Sequence, residues 1–401
     1  MEIKSYIKPE QVAHELRKLN IPRKYVPYNI SPIFTHNYSI YVSTRECAKT
    51  TYTLIIGLIL YKLYGTTTEY LRCDEEQTRR AVIEPLYNTI KANNYITRLF
   101  NNNWNDIEYS QTKKAFTLIR RDIEGSIVAR DQKPFCFVHS NEKWQTLKSG
   151  YNSPKGDFII LDEMFDSHRA TYFQISELWN NISTIGRVFE DERQANVHVV
   201  MLGNNTDLNS FWWDELCITE QIRQVKKYGE SFEHITDDGT SIYFKSIDLS
   251  EERKEKIRKR KIPFFGFNTK KAAQFTGSAL WSTKDYQHVD DIEILKPENK
   301  IDDHVVIYHR NRYIRLNLYY DKDRQYFVFL HFINKPKLKD YVIFTLMPRE
   351  ANEVYGVGEY SDYKQAFESM KKLRRLKMEN RWYYENNTIG SLVDDYFKNI
   401  T

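Results

Sequence analysis

The sequence predicts an α/β domain built on a mostly parallel sheet, followed by a smaller α+β domain. Three observations predict it. A strand, a loop and an apolar helix run consecutively from Tyr38 to Tyr64. The stretch "DFIILDE" at 157–163 is apolar without alternation and ends in two acids, as a central strand covered on both faces does. Beyond residue 263 strands come first and helices last. A chain of 401 residues also exceeds what one hydrophobic core usually fills, so two domains are expected.

The elements follow in order. Lys8 to Leu19 has helical periodicity, and the proline-punctuated "NIPRKYVPYNISPIF" leads from it into the strand "YSIYV". Residues 50–64 predict a buried helix with its exit at Gly65 to Thr68, and "EYLRC" at 69–73 a short strand. "DEEQTRRAVIEPLYNTIKANNY" predicts a long polar-faced helix interrupted at Pro85. Strands at 115–119, 126–130 and 135–139 suggest an antiparallel meander beside the main sheet. A helix through Ile185 should follow "DFIILDE", and "NVHVVMLGNN" at 196–205 repeats the pattern of an apolar strand ending in polar residues. The charged "LSEERKEKIRKRKIP", closed by a proline, reads as a linker helix, which gives domains at 1–248 and 264–401 around a linker at 249–263. In the second domain "HVVIYHRNRYIRLNLYYDKDRQYFVFLHF" predicts three strands turning at Asn311 and at Asp321 to Asp323. "DYVIFTL" and helices near 361–377 and 388–399 come after them.

Composition bounds the partners only loosely. A net charge of +5 and a pI near 8.7 give a mild attraction to polyanions that permits nucleic acid without demanding it. Cys47, Cys73, Cys136 and Cys217 are scattered, which signals neither a disulfide framework nor a zinc site and fits a reducing cytoplasm. The N-terminus lacks the apolar core of a signal peptide, and "TLIIGLILYKLY" is too short to span a bilayer.

Ser43 to Thr50 carries the first chemical signal. A phosphate-binding loop needs backbone N–H groups at a helix N-terminus, a lysine for the β and γ phosphates, and a hydroxyl for magnesium. Against G-x-x-x-x-G-K-[ST] the segment reads S-T-R-E-C-A-K-T, with Ser43 and Ala48 at the glycine places, Lys49 as the lysine and Thr50 as the hydroxyl. Taken alone the match is poor, and the segment reads first as an ordinary strand-to-helix turn, because Lys-Thr at a helix start is common. Its companions downstream supply the rest of a hydrolytic site: Asp162 to hold a magnesium water shell and Glu163 to activate the attacking water. Asn204, after the next buried strand, stands where a γ-phosphate sensor would sit. Charge on a transferred phosphoryl group also needs a guanidinium, often from a neighbouring subunit. Arg45, Arg72, Arg187 and Arg193 are the candidates.

In this order the features resemble the DNA-packaging ATPases of phi29-type podophages, relatives of the large terminase subunit. An arginine inside the loop (Arg45), a strand closing on arginine ("EYLRC"), "WQTLKS" at 144–149, "FIILDEMF", "VFEDERQANVHVVMLGNN" and the closing "RWYYENNTIGSLVDDYFKNI" carry the resemblance over most of the chain. It implies a P-loop ATPase domain of the ASCE type and a C-terminal RNase H-like domain whose nuclease function is vestigial. By the resemblance Thr44, Arg45, Glu46, Cys47 and Thr51 join Ser43, Ala48, Lys49, Thr50 and Arg72 in holding ATP. Thr50 and Asp162 hold Mg2+, Glu163 is catalytic, Asn204 couples, and Arg187 or Arg193 acts in trans. Lys148 would grip the DNA backbone in a loop facing the central channel.

The implied partners are double-stranded viral DNA, the procapsid portal and further copies of this chain in a pentameric ring, with room for a packaging RNA. The implied place of action is the host cytoplasm, transiently at the portal vertex. Ser43 and Ala48 depart from the family's loop glycines, and Glu190 stands where its finger arginine is usual. Two other readings accommodate the same residues. One is a terminase with an active nuclease, for which Asp394 and Asp395 echo one acid pair. The other is a non-catalytic nucleic-acid-binding or capsid-assembly protein on a decayed nucleotide fold.

Overall fold

A computed structural model describes residues 6–43, 47–140, 157–163, 197–204, 211–248, 295–296, 300–309, 312–320, 325–334, 342–344, 375–379, 381–385 and 387–398. The chain divides into two compact units, Met1–Ser282 and Thr283–Thr401. The expected helix through Ile185 and the expected linker at 249–263 lie outside the described residues.

The first unit is organised by a ten-stranded sheet. Its strands are β1 (Tyr38–Ser43), β2 (Thr68–Arg72), β3 (Asp106–Ser110), β4 (Ala115–Arg121), β5 (Ile127–Arg130), β6 (Cys136–Ser140), β7 (Phe158–Asp162), β8 (His198–Gly203), β9 (Ser231–Ile235) and β10 (Ser241–Ile247). They lie in the order β3-β4-β6-β2-β7-β8-β1-β10-β9, with β5 pairing β4. The stretch from β6 to β10 is parallel throughout, while β9, β4, β3 and β5 pair antiparallel at the two margins.

Every residue of β7 and β8 is buried, which explains their unalternating apolar sequences. The strands at 115–119, 126–130 and 135–139 are present, but they do not form a separate meander. β6 pairs parallel with β2 and antiparallel with β4, so it joins the margin to the main sheet.

Helix α1 (Pro9–Lys18) opens with a proline at its first turn and closes on Arg17 and Lys18, the charges that suit a helix C-terminus. Helix α2 (Ser31–Thr35) is a single turn before β1. Helix α3 (Lys49–Tyr64) is apolar all round, and Leu54, Ile55, Ile56, Leu58, Ile59 and Leu60 are buried. Such a helix needs cover on every side. It packs against β2 and β7 on one side and against α1 on another. Each buried aliphatic contributes about 2 kcal/mol. Gly57 lets α3 approach the sheet, since a Cβ there would lie 2.4 Å from Thr68 Oγ1. Gly65, at φ 66°, ends the helix in the left-handed conformation that glycine adopts most readily. Glu15 ties α1 to α3 by accepting from Lys18 Nζ (2.6 Å) and Lys62 Nζ (2.5 Å).

The predicted long helix at 74–95 is instead a chain of single turns that includes α4 (Arg80–Ile83), α5 (Asn88–Ala92) and α6 (Tyr95–Leu99). Pro85 lies in a 3-10 turn between the first two, and Asn94, at φ 53°, separates the last two. Each turn buries its own residue, Ile83, Ile90 or Ile96, in the core that α3 shares. On the opposite face of the sheet, α7 (Phe211–Glu215) and α8 (Thr219–Gln224) place Trp212, Trp213 and Ile222 over Ile40, Val42, Leu161 and Met201.

The second unit holds a five-stranded sheet in the order β14-β11-β12-β13-β15. Its strands are β11 (Lys300–His309), β12 (Arg312–Tyr320), β13 (Tyr326–Ile333), β14 (Val342–Phe344) and β15 (Trp382–Tyr384). β11 to β13 form an antiparallel meander, and β14 and β15 add parallel strands at its edges. β15 intervenes before the last helix, so strands and helices are not fully segregated. Helix α9 (Asn387–Lys398) sets Ile389, Leu392, Val393 and Tyr396 at helical spacing against Leu330, Trp382 and Tyr384. β11 begins at Lys300, before the predicted His304, and so takes in Asp302 and Asp303.

Candidate functional site

Parallel strands deliver their carboxyl ends to one edge of a sheet, where open α/β folds bind ligands. β1 ends at Ser43, β2 at Arg72, β7 at Asp162 and β8 at Gly203. The register aligns these ends, pairing Val42 with Gly203, Asp162 with Leu202 and Leu71 with Leu161. Residues far apart in sequence therefore come within side-chain reach.

After Ser43, which is buried, the chain passes the buried Cys47 and reaches Ala48 at φ 60°, ψ 17°. This left-handed conformation costs a non-glycine residue about 1 kcal/mol, and it lies where a phosphate loop carries its second glycine. Lys49 begins α3, and Thr53 Oγ1 donates back to its carbonyl at 2.7 Å. Thr51, the third residue of the helix, is half-buried.

Across the sheet edge Lys49 Nζ donates to Asn204 Oδ1 at 2.9 Å. Thr50 Oγ1 donates to Asp162 Oδ2 at 3.0 Å, and Tyr70 OH, from β2, donates to the same oxygen at 2.5 Å. Arg72 Nη1 lies 2.7 Å from Glu163 Oε2 and 3.8 Å from Asp162 Oδ2. Asp162 is buried, whereas the Glu163 side chain is 48% exposed, so one acid faces inward and the other reaches solvent. Glu163 sits at φ 58°, held by its N–H to Leu202 O (3.1 Å) and by Cys73 Sγ donating to its carbonyl (3.8 Å). Strained non-glycine backbone of this kind clusters at functional sites.

Burial raises the Tyr70 phenol well above its ordinary range, and the Asp162 and Glu163 charges add to the shift against Arg72. Tyr70 is therefore a neutral donor at any working pH. Burial would lower Arg72, but Tyr70, Asp162 and Glu163 outweigh it and the guanidinium is held more firmly charged.

The structure thus brings together Lys49, Thr50, Arg72, Asp162, Glu163 and Asn204. Thr44, Arg45, Glu46, Lys148, Arg187 and Arg193 lie outside the described residues. Tyr70 was missed by sequence reasoning. Its signal was the two-residue alternation that sets it on the same face of β2 as Arg72.

The donor set suits a hard cation. Every hydrogen bond to the Asp162 carboxylate among the described residues goes to Oδ2, and the Thr50 hydroxyl keeps its lone pairs when it donates. Among the described residues no group of three or more His, Cys, Asp or Glu gathers to hold a metal unaided. One carboxylate and one hydroxyl match the way Mg2+ binds, through few protein oxygens plus phosphate oxygens and water. The N-terminus of α3 favours anions such as phosphate.

In the second unit Lys377 Nζ pairs with Asp394 Oδ1 at 2.7 Å and lies 4.7 Å from the Phe397 ring centroid. The side chains of Asp302, Asp303 and Asp395 lie outside the described residues.

No protein-family model and no curated protein matches the sequence. Solved structures do match its fold. The bacteriophage Phi-29 viral genome packaging motor assembly aligns over 93% of this chain and 99% of its own, with a TM-score of 0.54 and 16% identity. The Phi-28 gp11 DNA packaging motor aligns over 94% and 98%, with a TM-score of 0.52 and 15% identity. The likeness to these two packaging-motor proteins is one of fold.

Proposed function

We propose that this chain is an ATP-hydrolysing subunit of a viral DNA-packaging motor, moving double-stranded DNA into a procapsid through its portal. The convergence of Lys49, Thr50, Asp162, Glu163 and Asn204 on one sheet edge carries the proposal. The fold shared with two packaging motors supports the biological setting.

Lys49, at the N-terminus of α3, binds the β and γ phosphates in place of its bond to Asn204. Asn204, released, senses the γ phosphate. Thr50 and Asp162 would hold Mg2+, which when bound would offset charge on the phosphate oxygens. Glu163 is the solvent-reaching carboxylate and takes a proton from the attacking water. Arg72 orients Glu163 through their 2.7 Å ion pair. The remaining loop residues, Thr44, Arg45 and Glu46, cradle the phosphates.

An arginine from a neighbouring copy, Arg187 or Arg193, completes the site in a homo-oligomeric ring, pentameric by the family resemblance. Lys148 contacts DNA phosphates, since a packaging motor accepts any sequence. The second unit is an RNase H-like domain without nuclease activity. Asp394, one acid of the pair that active relatives use, is ion-paired with Lys377.

ATPase rate against protein concentration, with and without double-stranded DNA, tests the proposal. Specific activity should rise with concentration and with DNA. A flat, DNA-independent specific activity would refute the inter-subunit site and the motor role together.

A further inference from the structure

Tyr70 is fully buried on a central strand, yet its hydroxyl is spent on a single carboxylate oxygen. A tyrosine in such a core ordinarily contributes area, and phenylalanine would contribute nearly as much. The placement of the hydroxyl is specific. β2 and β7 pair with Tyr70 opposite Ile160, so the phenol reaches along the strand to the terminal acid two residues on. Its hydrogen bond and the one from Thr50 Oγ1 converge on Asp162 Oδ2. Two donors on one oxygen fix the plane of the carboxylate. The other oxygen, Oδ1, accepts no hydrogen bond from the described residues. Arg72 closes the remaining side, with its guanidinium carbon 5.7 Å from the Tyr70 ring centroid and Nη1 3.8 Å from Oδ2.

From this geometry we infer that Tyr70 is a positioning residue for a divalent cation: it anchors Asp162 by Oδ2 and so leaves Oδ1 as the oxygen that would ligate the ion. The inference rests on the Mg2+-nucleotide reading of this site. It adds a role for a residue that neither touches the nucleotide nor belongs to the loop. Without the phenol hydroxyl, Asp162 keeps the single hydrogen bond from Thr50 and the 3.8 Å ion pair with Arg72, which fix its plane less tightly, and Thr50 is itself needed at the cation.

The test is an equilibrium one. Mn2+ binding to the ATP-loaded full chain is followed by the loss of the free-ion electron paramagnetic resonance signal, for wild type and Tyr70→Phe. Binding of ATP in EDTA is measured alongside. Outer-shell partners of metal ligands typically contribute 10–100-fold in metal affinity. Tyr70→Phe is expected to weaken Mn2+ about tenfold or more while ATP affinity in EDTA stays at the wild-type value. A protein with 4-aminophenylalanine at position 70 keeps an N–H donor and is expected to bind Mn2+ like wild type.

Equal Mn2+ affinity in wild type and Tyr70→Phe would overturn the inference and leave the nucleotide site standing. Parallel losses of Mn2+ and metal-free ATP binding would overturn it too, because a purely structural role predicts them. If Tyr70→Phe does not fold, the 4-aminophenylalanine protein decides, and a tenfold loss there refutes the donor role. Wild-type protein that binds neither ATP nor Mn2+ would remove the nucleotide reading and this inference with it.

Discussion

Replacing Gly57 by alanine should loosen α3 from the sheet, although alanine is the better helix former. The new methyl would sit 2.4 Å from Thr68 Oγ1, 3.4 Å from its Cβ and 3.5 Å from its Cγ2. Optimal carbon contacts lie near 3.5–4.0 Å, so only the hydroxyl is in serious conflict. A β-branched residue has little freedom at χ1, and turning it would put a methyl where the hydroxyl was. Overpacking typically costs about 1–3 kcal/mol, against a helix-propensity gain of about 1 kcal/mol. A net loss of about 1 kcal/mol is expected. In a Thr68→Ala background the hydroxyl is gone, and it has no hydrogen-bond partner to forfeit. There Gly57→Ala should be neutral or stabilising, which makes the coupling between the two sites about 1–2 kcal/mol. Hydrogen exchange of the α3 amides in the four proteins of the cycle measures it directly. Gly57→Ala slowing exchange equally in both backgrounds would refute the close approach of α3 to β2.

Further outcomes follow from other groups. Burial lowers His198 to about 4, against a backbone hydrogen bond that opposes the shift. Its unfolded pKa is near 6.5, so its contribution to stability is complete above that pH and declines as pH falls toward 4, by about 3 kcal/mol in all. Denaturant titrations at pH 7 and pH 5 should show a loss of about 2 kcal/mol that His198→Gln removes. At Glu15 burial raises the pKa, but the hydrogen bonds from Lys18 and Lys62 outweigh it and the net shift is downward. Its stabilisation is present above the ordinary carboxylate pKa and is lost as pH falls through the lowered one. Lys62→Met should therefore reduce thermal stability at pH 7 more than at pH 3, and an equal reduction at both would contradict the pairing. If DNA is held by its phosphates, raising salt from about 50 to 200 mM should weaken DNA stimulation of hydrolysis by about 10³-fold in DNA concentration. Purified full-length protein should not cut DNA in Mg2+ or Mn2+, and cleavage abolished by Asp394→Asn would show an active nuclease.

The sequence revealed most where an element's surroundings are uniform. β7 and β8 read directly as unalternating apolar runs because both faces are covered, and α3 read as a buried helix for the same reason. The stretch 74–95 misled because its helical spacing is real over each turn, while Pro85 and Asn94 divide it. β9 and β10 carried no distinct signal. β9 is an edge strand with alternating exposure, and β10 finds its parallel partner β1 some two hundred residues away. In the site, Lys49, Thr50 and the two acids were legible because residue type, spacing and strand ends agree. Tyr70 was not, since its hydroxyl acquires meaning only when β2 and β7 pair. The Arg72–Glu163 contact depends on the same pairing. Ala48 takes the left-handed conformation that the second glycine of a phosphate loop would take, at modest cost for alanine.

The central claim is that Lys49 and the paired acids serve one Mg2+-ATP molecule. Steady-state ATP hydrolysis and equilibrium ATP binding, measured together on wild type, Lys49→Ala and Glu163→Gln, test it most directly. Glu163→Gln should bind ATP normally and turn it over about 10²–10⁴-fold more slowly, as loss of a general base requires. Lys49→Ala should lose both binding and turnover. Wild-type rates in both variants, with their folds intact, would contradict the account.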